Sequence, residues 1–274
     1  MLTNQKKGLK RNTIDKYYTN DRVVDICINK IKECLVIDPS EHLIIEPSAG
    51  NGSFIKGIRT LSDHCLFYDL EPENPDIIKQ DYLEYDITDK FNNIHVIGNP
   101  PFGRQSSLAI KFIKKSCEFC NSISFILPLS FKKESLKKHF PLQFHLICEY
   151  DLPKYAFLVN NQSYDVPCIF QIWEKKSHTR NVTEKQKPKN YAFVKKIDNP
   201  DISFRRVGVN AGTIDVNSQD KSEQSHYFIK FGHTFSTKLM EDIKNIQYPG
   251  KDHTVGPKSI SKQEIIKQFN QLFE

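Results

Sequence analysis

The segment Gly98-Asn99-Pro100-Pro101-Phe102-Gly103 combines residue types suited to holding a flat ring that carries an amine. Its two prolines stiffen the chain and have no backbone N–H, so nearby carbonyl groups stay free of strand pairing. Asn99 offers an amide oxygen as a hydrogen-bond acceptor, and Phe102 offers an aromatic face for stacking. A simple proline turn would account for the prolines but not for the amide and the ring. The segment therefore predicts a site for an exocyclic amine.

A second candidate segment runs from Glu46 to Phe54, with the sequence EPSAGNGSF. Gly50 and Gly52 lie in a predicted turn between a strand and a helix, where the lack of a Cβ lets the backbone approach a ligand. A GxG pair is a weak signal by itself, because an ordinary strand-to-helix turn uses the same residues.

Acidic residues follow two further apolar runs. Asp69, with Glu71 behind it, comes about 20 residues after the glycines, where a carboxylate suits the hydroxyl groups of a ribose. Asp81 stands where a third strand would end, and its carboxylate could accept a hydrogen bond from an adenine amine. Solvated charge at a strand end and a helix cap are the alternatives for these two residues.

These three segments can form one site only if they follow strands whose carboxyl ends meet at the same edge of a sheet. Apolar runs alternate with helical patterns, which predicts an α/β fold with a doubly wound, Rossmann-like, mostly parallel sheet. Ligands bind beyond the carboxyl ends of such strands. An antiparallel hairpin is predicted at the sheet edge from 145–152 and 166–175, and a small β-rich part follows. The other predicted strands are 43–45, 65–68, 95–97, 122–129, 191–197, 202–209 and 225–231, and helices are predicted at 21–35, 108–117 and 265–273.

The domain organisation follows from where these patterns change. Residues 1–176 are expected to form a catalytic domain, 177–190 a linker or exposed loop, and 191–274 a small target-recognition or accessory region. With 38% hydrophobic residues, the 274-residue chain can bury a core, which excludes wholesale disorder. Its net charge of +6 permits a polyanionic partner without requiring one.

Targeting signals and metal sites are not expected. No apolar run approaches the ~20 residues of a membrane-spanning helix, and the N-terminus lacks an apolar signal segment. We expect a protein that is not secreted and acts in the cytoplasm, or wherever its target resides. Cys117 and Cys120 form a CxxC pair without a second pair or a nearby His, so core packing is favoured over a zinc site.

In their order, these segments resemble the class I S-adenosylmethionine-dependent methyltransferases, specifically the amino-methyltransferases with an (Asn/Asp/Ser)-Pro-Pro-(Tyr/Phe/Trp) motif. The glycine segment precedes the NPPF segment, and both follow Tyr17-Tyr18-Thr19, an order similar to that of the gamma-type DNA adenine-N6 methyltransferases. The resemblance covers about residues 14–175. It departs from the family at Ser48-Ala49, where a further glycine is common, and at Asn20, where the family commonly has Pro.

The resemblance implies S-adenosylmethionine as methyl donor, no metal, and the N6 amine of a flipped adenine in DNA as acceptor. It implies catalytic roles for Asn99, Pro100, Pro101 and Phe102. Phe102 and Phe157 would stack on the extruded base. The cofactor-binding residues that it implies are Tyr17, Thr19, Glu46, Ser48, Gly50, Gly52, Asp69 and Asp81.

Other functions remain open at this point. Adenosine in RNA is the nearest alternative substrate, because the pocket would contact only a base. Glutamine methylation in release factors uses a related motif, but Phe102 replaces the usual Tyr there. A non-catalytic methyltransferase-like subunit that binds nucleic acid is an alternative from a different class. A cytosine-C5 enzyme is disfavoured because Pro167-Cys168 begins a β-run instead of following the catalytic strand.

Basic residues are concentrated after the catalytic segments and could contact phosphates, with binding that weakens as salt rises. A solvated linker with ordinary surface lysines is the alternative. The C-terminal region is small for a full recognition domain, and a homodimer or a short, degenerate recognition site would compensate. The basic residues are Lys175, Lys176, Arg180, Lys185, Lys187, Lys189, Arg205 and Arg206.

Overall fold

The computed structural model describes residues 17–86, 91–182, 184–232 and 235–273. The chain divides into two compact units between Arg180 and Asn181. This boundary lies within the segment 177–190 in which the sequence predicts a linker, and residues 1–16 of the predicted catalytic domain lie outside the described residues.

The described residues of the first unit form a large sheet, a small sheet and four α-helices. Its helices are α1 (Asp21–Cys34), α2 (Ile55–Ile58), α3 (Ser107–Cys117) and α4 (Glu134–Lys137). Its strands are β1 (Tyr18–Thr19), β2 (His42–Glu46), β3 (His64–Asp69), β4 (Ile78–Lys79), β5 (Asn93–Gly98), β6 (Ser122–Pro128), β7 (Phe144–Asp151), β8 (Phe157–Val159), β9 (Gln162–Tyr164) and β10 (Cys168–Lys175).

The large sheet has the strand order β4-β3-β2-β5-β6-β10-β7. Neighbours from β4 to β6 are parallel, whereas β10 is antiparallel to both β6 and β7. The predicted doubly wound α/β fold with an antiparallel edge is thereby confirmed. Of the two strands predicted as an edge hairpin, β7 forms the edge of the sheet. Strand β10, which follows β7 in the chain, lies between β6 and β7. The carboxyl ends of β2, β3 and β5 therefore meet at one edge.

Hydrophobic clusters cover both faces of the large sheet. Ile44 of β2 packs in the cluster that includes α1, whereas its neighbours Leu43 and Ile45 pack in the cluster that includes α3. This alternation is the period of two that a strand buried on both faces requires. Helix α1 begins at Asp21, where the sequence predicts a helix start, and the side chain of Asn20 caps it by accepting a hydrogen bond from Arg22 N.

The segment between β7 and β10 contains a hairpin that the sequence analysis did not predict. Strands β8 and β9 are joined by Asn160 and Asn161, whose φ values of 49° and 59° are both left-handed. Two asparagines favour this type of two-residue turn. Strand β8 also pairs with β1, so that Thr19 lies opposite Phe157. The Tyr17-Tyr18-Thr19 segment is thereby held as an edge strand.

Arg180 closes the first unit through its side chain. Its planar guanidinium group lies over the side chain of Trp173, with the guanidinium carbon 5.2 Å from the centroid of the Trp173 ring. The guanidinium donates hydrogen bonds to the backbone carbonyls of Lys137, Phe140, Pro141 and Phe144. The predicted phosphate contact is therefore replaced by a structural role for this arginine.

Replacement of Arg180 by lysine should destabilise the protein, because an ammonium cannot reach four carbonyls with one planar group. We expect the free energy of unfolding to fall by roughly 2–4 kcal/mol, measured by urea denaturation followed by near-UV circular dichroism. Lys56→Ala, which removes an exposed cation from α2, serves as control. Equal stability of the two variants would contradict the assigned role.

The second unit is small and β-rich, as predicted. Its described elements are β11 (Tyr191–Val194), β12 (Ile202–Arg205), β13 (Ile214–Asp215), β14 (His226–Phe231), α5 (Thr237–Asn245) and α6 (Lys262–Phe269). Its sheet is antiparallel, with the order β11-β14-β12-β13. The C-terminal helix, α6, was predicted, whereas α5 was not. Helix α5 begins after Ser236, whose side chain accepts a hydrogen bond from Leu239 N.

Cys117 and Cys120 are both buried in the cluster that includes α3, at the end of that helix.

Within the described residues, no helix combines the length and the apolar character needed to cross a bilayer.

Candidate active site

A cavity of about 590 Å³ lies at the carboxyl edge of β2, β3 and β5. It brings together the three segments that the sequence singled out, which lie between Glu46 and Gly103, and the Tyr17-Tyr18-Thr19 segment that precedes them in the chain. Gly52 and Phe157 are the two predicted site residues that do not line it. The predicted residues that do line it are Tyr17, Thr19, Glu46, Ser48, Gly50, Asp69, Asp81, Asn99, Pro100, Pro101 and Phe102.

The side-chain amide of Asn99 is held in one orientation. Its Nδ2 donates to the backbone carbonyl of Tyr17 at 3.2 Å and lies 3.4 Å from Thr19 Oγ1. The amide oxygen, Oδ1, is buried, and none of the residues that the structure describes donates a hydrogen bond to it. An unpaired buried acceptor costs about 1–3 kcal/mol, which a donor bound in the cavity would offset.

The backbone next to Asn99 offers a second hydrogen-bond acceptor, the carbonyl of Pro100. Gly98 has a φ of +152°, and a Cβ there would lie 3.1 Å from Glu46 Cγ. Ser48 Oγ donates to the Asn99 carbonyl at 3.2 Å, which ties the glycine segment to the proline turn. Within the described residues, no group donates to the Pro100 carbonyl. Asn99 and Pro100 thus present two acceptors from adjacent residues.

The glycines of the second segment have different roles. Gly50 has a φ of +54°, and a Cβ there would lie 3.3 Å from Tyr18 Cε1, so the open backbone borders the cavity. Gly52 has a φ of +86°, and a Cβ there would lie 2.7 Å from Ile55 Cδ1. Gly52 therefore shapes the turn through packing, away from the cavity wall.

The carboxylates of Asp69 and Asp81 order the backbone around the cavity. Asp69 accepts from Gly50 N at 2.7 Å and from Glu71 N at 2.8 Å. Asp81 accepts from Leu83 N at 2.9 Å and caps the short helical turn that follows, which was the alternative to a ligand contact. Because each carboxylate oxygen has two lone pairs, both side chains keep acceptor capacity toward a ligand.

Glu46 is a buried acid without a partner for one of its oxygens. The residue is 2% exposed, and Oε2 has no hydrogen bond to any part of the chain that the structure describes. Burial raises the pKa of the Glu46 carboxyl well above its usual range, and the negative charge of Asp69 raises this pKa further. A positively charged group in the cavity would stabilise the ionised form.

The two predicted stacking aromatics lie in different environments. Phe102 is half-buried and lines the cavity. Phe157 is 0% exposed, and its ring meets the edge of the Tyr17 ring at a centroid distance of 6.1 Å. Because β8 pairs with β1, Phe157 is directed into the core. The stacking role that the resemblance implied for Phe157 does not fit this structure.

Sequence reasoning missed several residues of the cavity wall. Tyr18 lines it from β1 and donates its hydroxyl to Glu73 Oε1 at 2.6 Å. Leu83 and Phe112 form apolar parts of the wall, and Arg104 lines the cavity just after the proline turn. Two of them carried a local signal, since Tyr18 lies between Tyr17 and Thr19 and Arg104 comes directly after Gly103, in segments already singled out.

The remaining basic residues of the predicted phosphate-binding set are spread over several environments. Lys185, Lys187 and Lys189 are exposed. Arg206 lies over the ring of Tyr227 at 5.3 Å and donates to a backbone carbonyl. Arg205 lines a smaller cavity, of about 150 Å³, within the second unit.

Within the described residues, no group of three or more His, Cys, Asp or Glu side chains could hold a metal ion.

Comparison with known proteins gave matches only among solved structures. No family model and no curated protein matches the sequence. A proposed RNA methyltransferase from Pyrococcus horikoshii is similar over 62% of this chain and 92% of its own, with 15% identity and a TM-score of 0.47. The 23S rRNA methyltransferase ErmE is similar over 59% and 71%, with 10% identity and a TM-score of 0.45. A proposed class I S-adenosylmethionine-dependent methyltransferase from Listeria monocytogenes is similar over 61% and 64%, with 14% identity and a TM-score of 0.45. Likenesses of this extent do not assign an activity to this chain.

Proposed function

We propose that this protein transfers a methyl group from S-adenosylmethionine to the N6 amine of an adenine extruded from DNA. The observation that carries the proposal is the fixed amide of Asn99. Its nitrogen donates to the Tyr17 carbonyl, and its buried oxygen has no partner among the described residues. The NPPF composition and the order of the segments, which resemble the gamma-type DNA enzymes, support adenine and DNA as the target.

The residues of the glycine side fit the proposed cofactor. The orphaned oxygen of Glu46 suits a cationic group, and the left-handed turn at Gly50 leaves room for close approach. When bound, S-adenosylmethionine supplies a methyl group on an electrophilic sulfonium, so the protein needs no covalent nucleophile. We assign the methionine end to Tyr17, Thr19, Glu46, Ser48 and Gly50, the ribose to Asp69 and the adenine amine to Asp81, while Gly52 shapes the turn.

The acceptor side must make a poor nucleophile react. The lone pair of an adenine amine is delocalised into the ring. Two hydrogen bonds, to Asn99 Oδ1 and to the Pro100 carbonyl, favour a tetrahedral nitrogen and aim its lone pair. Pro101 keeps this turn rigid. Orientation of two reactants in this way can lower the barrier by ~7–11 kcal/mol. The amine becomes acidic only after transfer, so no general base is required.

An adenine within a duplex cannot reach the cavity and must be flipped out of the stack, which costs a few kcal/mol. Phe102, an aromatic residue of the cavity wall on the proline turn, holds the extruded base by stacking. The basic residues of the second unit are suited to contact phosphates, and they account for the predicted salt-dependent affinity.

Replacement of Phe102 by alanine is expected to lower the affinity for a duplex with an extruded base by about 5- to 150-fold, because stacking contributes ~1–3 kcal/mol per base. The measurement is fluorescence of 2-aminopurine at the target position, which rises when the base leaves the stack. Phe102→Tyr should retain the signal. Phe157→Leu should lower the melting temperature but not the fluorescence, and loss of the signal in that variant would contradict the burial of Phe157.

The proposal is tested by incubating the protein with labelled S-adenosylmethionine and either unmethylated DNA or RNA of random sequence, followed by mass spectrometry of the nucleosides. The expected product is N6-methyldeoxyadenosine. Methylation of RNA alone would show that the substrate class is wrong. Absence of transfer together with absence of calorimetric S-adenosylmethionine binding would support the non-catalytic alternative.

A further inference from the structure

The wall of the active-site cavity is divided by charge. Five carboxylates line it, all from the ends of β2 and β3 or the segments that follow β3 and β4. The side formed by the proline turn carries no carboxylate. Among the described residues that line the cavity, Arg104 is the single cation. The five acidic residues are Glu46, Asp69, Glu71, Glu73 and Asp81.

Arg104 lies two residues after Phe102 and is exposed. Within the described residues, its guanidinium has no hydrogen-bond or ion-pair partner. An arginine in a ligand cavity with five unengaged N–H donors is available for an anion outside the protein. The acidic side of the same cavity would repel that anion, so Arg104 is the one place on the described wall where it can be held.

The turn that carries Arg104 has an unusual backbone. Gly103 has a φ of +67°, and a Cβ there would lie 2.8 Å from Leu108 Cγ, so only glycine fits. Gln105 and Ser106 follow with left-handed φ values of 53° and 62°. Consecutive non-glycine residues in this region are strained, and such strain concentrates at functional sites. The turn is anchored because Leu108 N donates to the Phe102 carbonyl at 3.2 Å.

We propose that the Arg104 guanidinium binds a backbone phosphate next to the extruded adenine. This inference rests on the proposed function and names the positioning contact that the NPPF residues do not supply. A guanidinium binds phosphate through two parallel hydrogen bonds, which fixes direction as well as distance. A phosphate contact carries no sequence information, but it sets the register of the nucleotide on the protein. Arg104 is thus a positioning residue that places the base against Phe102.

The test is a scan of single methylphosphonate substitutions around the target adenine, with affinity measured by fluorescence anisotropy in the presence of S-adenosylhomocysteine. A methylphosphonate removes the charge of one phosphate. Wild-type protein is expected to lose about tenfold in affinity at one flanking phosphate. Arg104→Gln should bind the unmodified duplex about tenfold more weakly and lose nothing further at that phosphate.

Salt dependence supplies a second readout. The slope of log affinity against log salt should be shallower in Arg104→Gln by about 0.9, the value for one phosphate contact. Arg104→Lys should restore the slope but not the full affinity, because it keeps the charge and loses the paired geometry. Lys111→Gln, which removes an exposed cation from α3, is the matched control and should keep the wild-type methylphosphonate profile.

Two failures can be told apart. Methyl transfer by the wild-type protein together with an unchanged methylphosphonate profile in Arg104→Gln overturns the phosphate assignment alone. Absence of transfer by the wild-type protein on DNA and RNA overturns the proposed function, and the assignment with it. Calorimetric binding of S-adenosylmethionine should be the same in wild type and Arg104→Gln.

Discussion

Replacement of Asn99 by alanine is expected to reduce kcat for methyl transfer by at least about 10²–10³-fold, while binding of S-adenosylmethionine is retained. The variant removes the buried amide oxygen to which no described residue donates a hydrogen bond. Without it, only the Pro100 carbonyl remains to orient the amine. The loss should fall on kcat, because the missing contact acts on the reacting nitrogen, whereas Phe102 still stacks on the base. Single-turnover kinetics with saturating DNA measure the effect directly.

Two variants serve as controls for this result. Asn92→Ala removes an exposed amide that precedes β5 at the end opposite to Asn99, and its kcat should equal that of the wild type. Asn99→Asp keeps an acceptor oxygen but cannot donate to the Tyr17 carbonyl, so an intermediate kcat is expected. Turnover of Asn99→Ala within tenfold of wild type would remove the amide from the mechanism.

Replacement of Glu46 by glutamine is expected to weaken S-adenosylmethionine binding and to stabilise the ligand-free protein at neutral and alkaline pH. Burial raises the pKa of the Glu46 carboxyl in the folded state, so the folded protein binds more protons than the unfolded chain between the unfolded pKa of about 4.3 and the raised folded pKa. The free energy of unfolding of the wild type therefore falls as pH rises from that value through the folded pKa. The glutamine variant lacks this dependence, because an amide does not titrate.

The melting temperature of Glu46→Gln should therefore exceed that of the wild type by several degrees at pH 8, and the difference should close as pH falls toward about 4.3. S-adenosylmethionine affinity of the wild type should rise with pH, since the ionised carboxylate is the form that attracts a cation. Glu41→Gln, which changes an exposed acid just before β2, should show neither effect. A difference in melting temperature that grows toward acid pH would contradict the assignment.

Much of the site could be predicted because its residues come directly after short apolar strands. The runs that became β2, β3 and β5 end at Glu46, Asp69 and Gly98. Parallel strands bring such ends to one edge, so local sequence was enough to place distant segments together. The proline turn was informative because its residue types have few structural alternatives.

What could not be predicted depends on pairing between distant segments. Nothing local to Phe157 shows that its strand pairs with β1, yet that pairing directs the ring into the core. In the same way, β10 inserts between β6 and β7, although β7 precedes it in the chain. The division of roles between Gly50 and Gly52 depends on which side chains surround each turn residue.

The central claim is that Asn99 Oδ1 and the Pro100 carbonyl accept hydrogen bonds from one extruded adenine amine. A crystal structure of the protein with the unreactive cofactor analogue sinefungin and a duplex containing its target tests this most directly. The account predicts the adenine outside the helix, with N6 within about 3.2 Å of both oxygens and Phe102 stacked on the ring. A structure in which the base remains stacked in the duplex, or in which its amine contacts other residues while Asn99 Oδ1 stays unpaired, would contradict it.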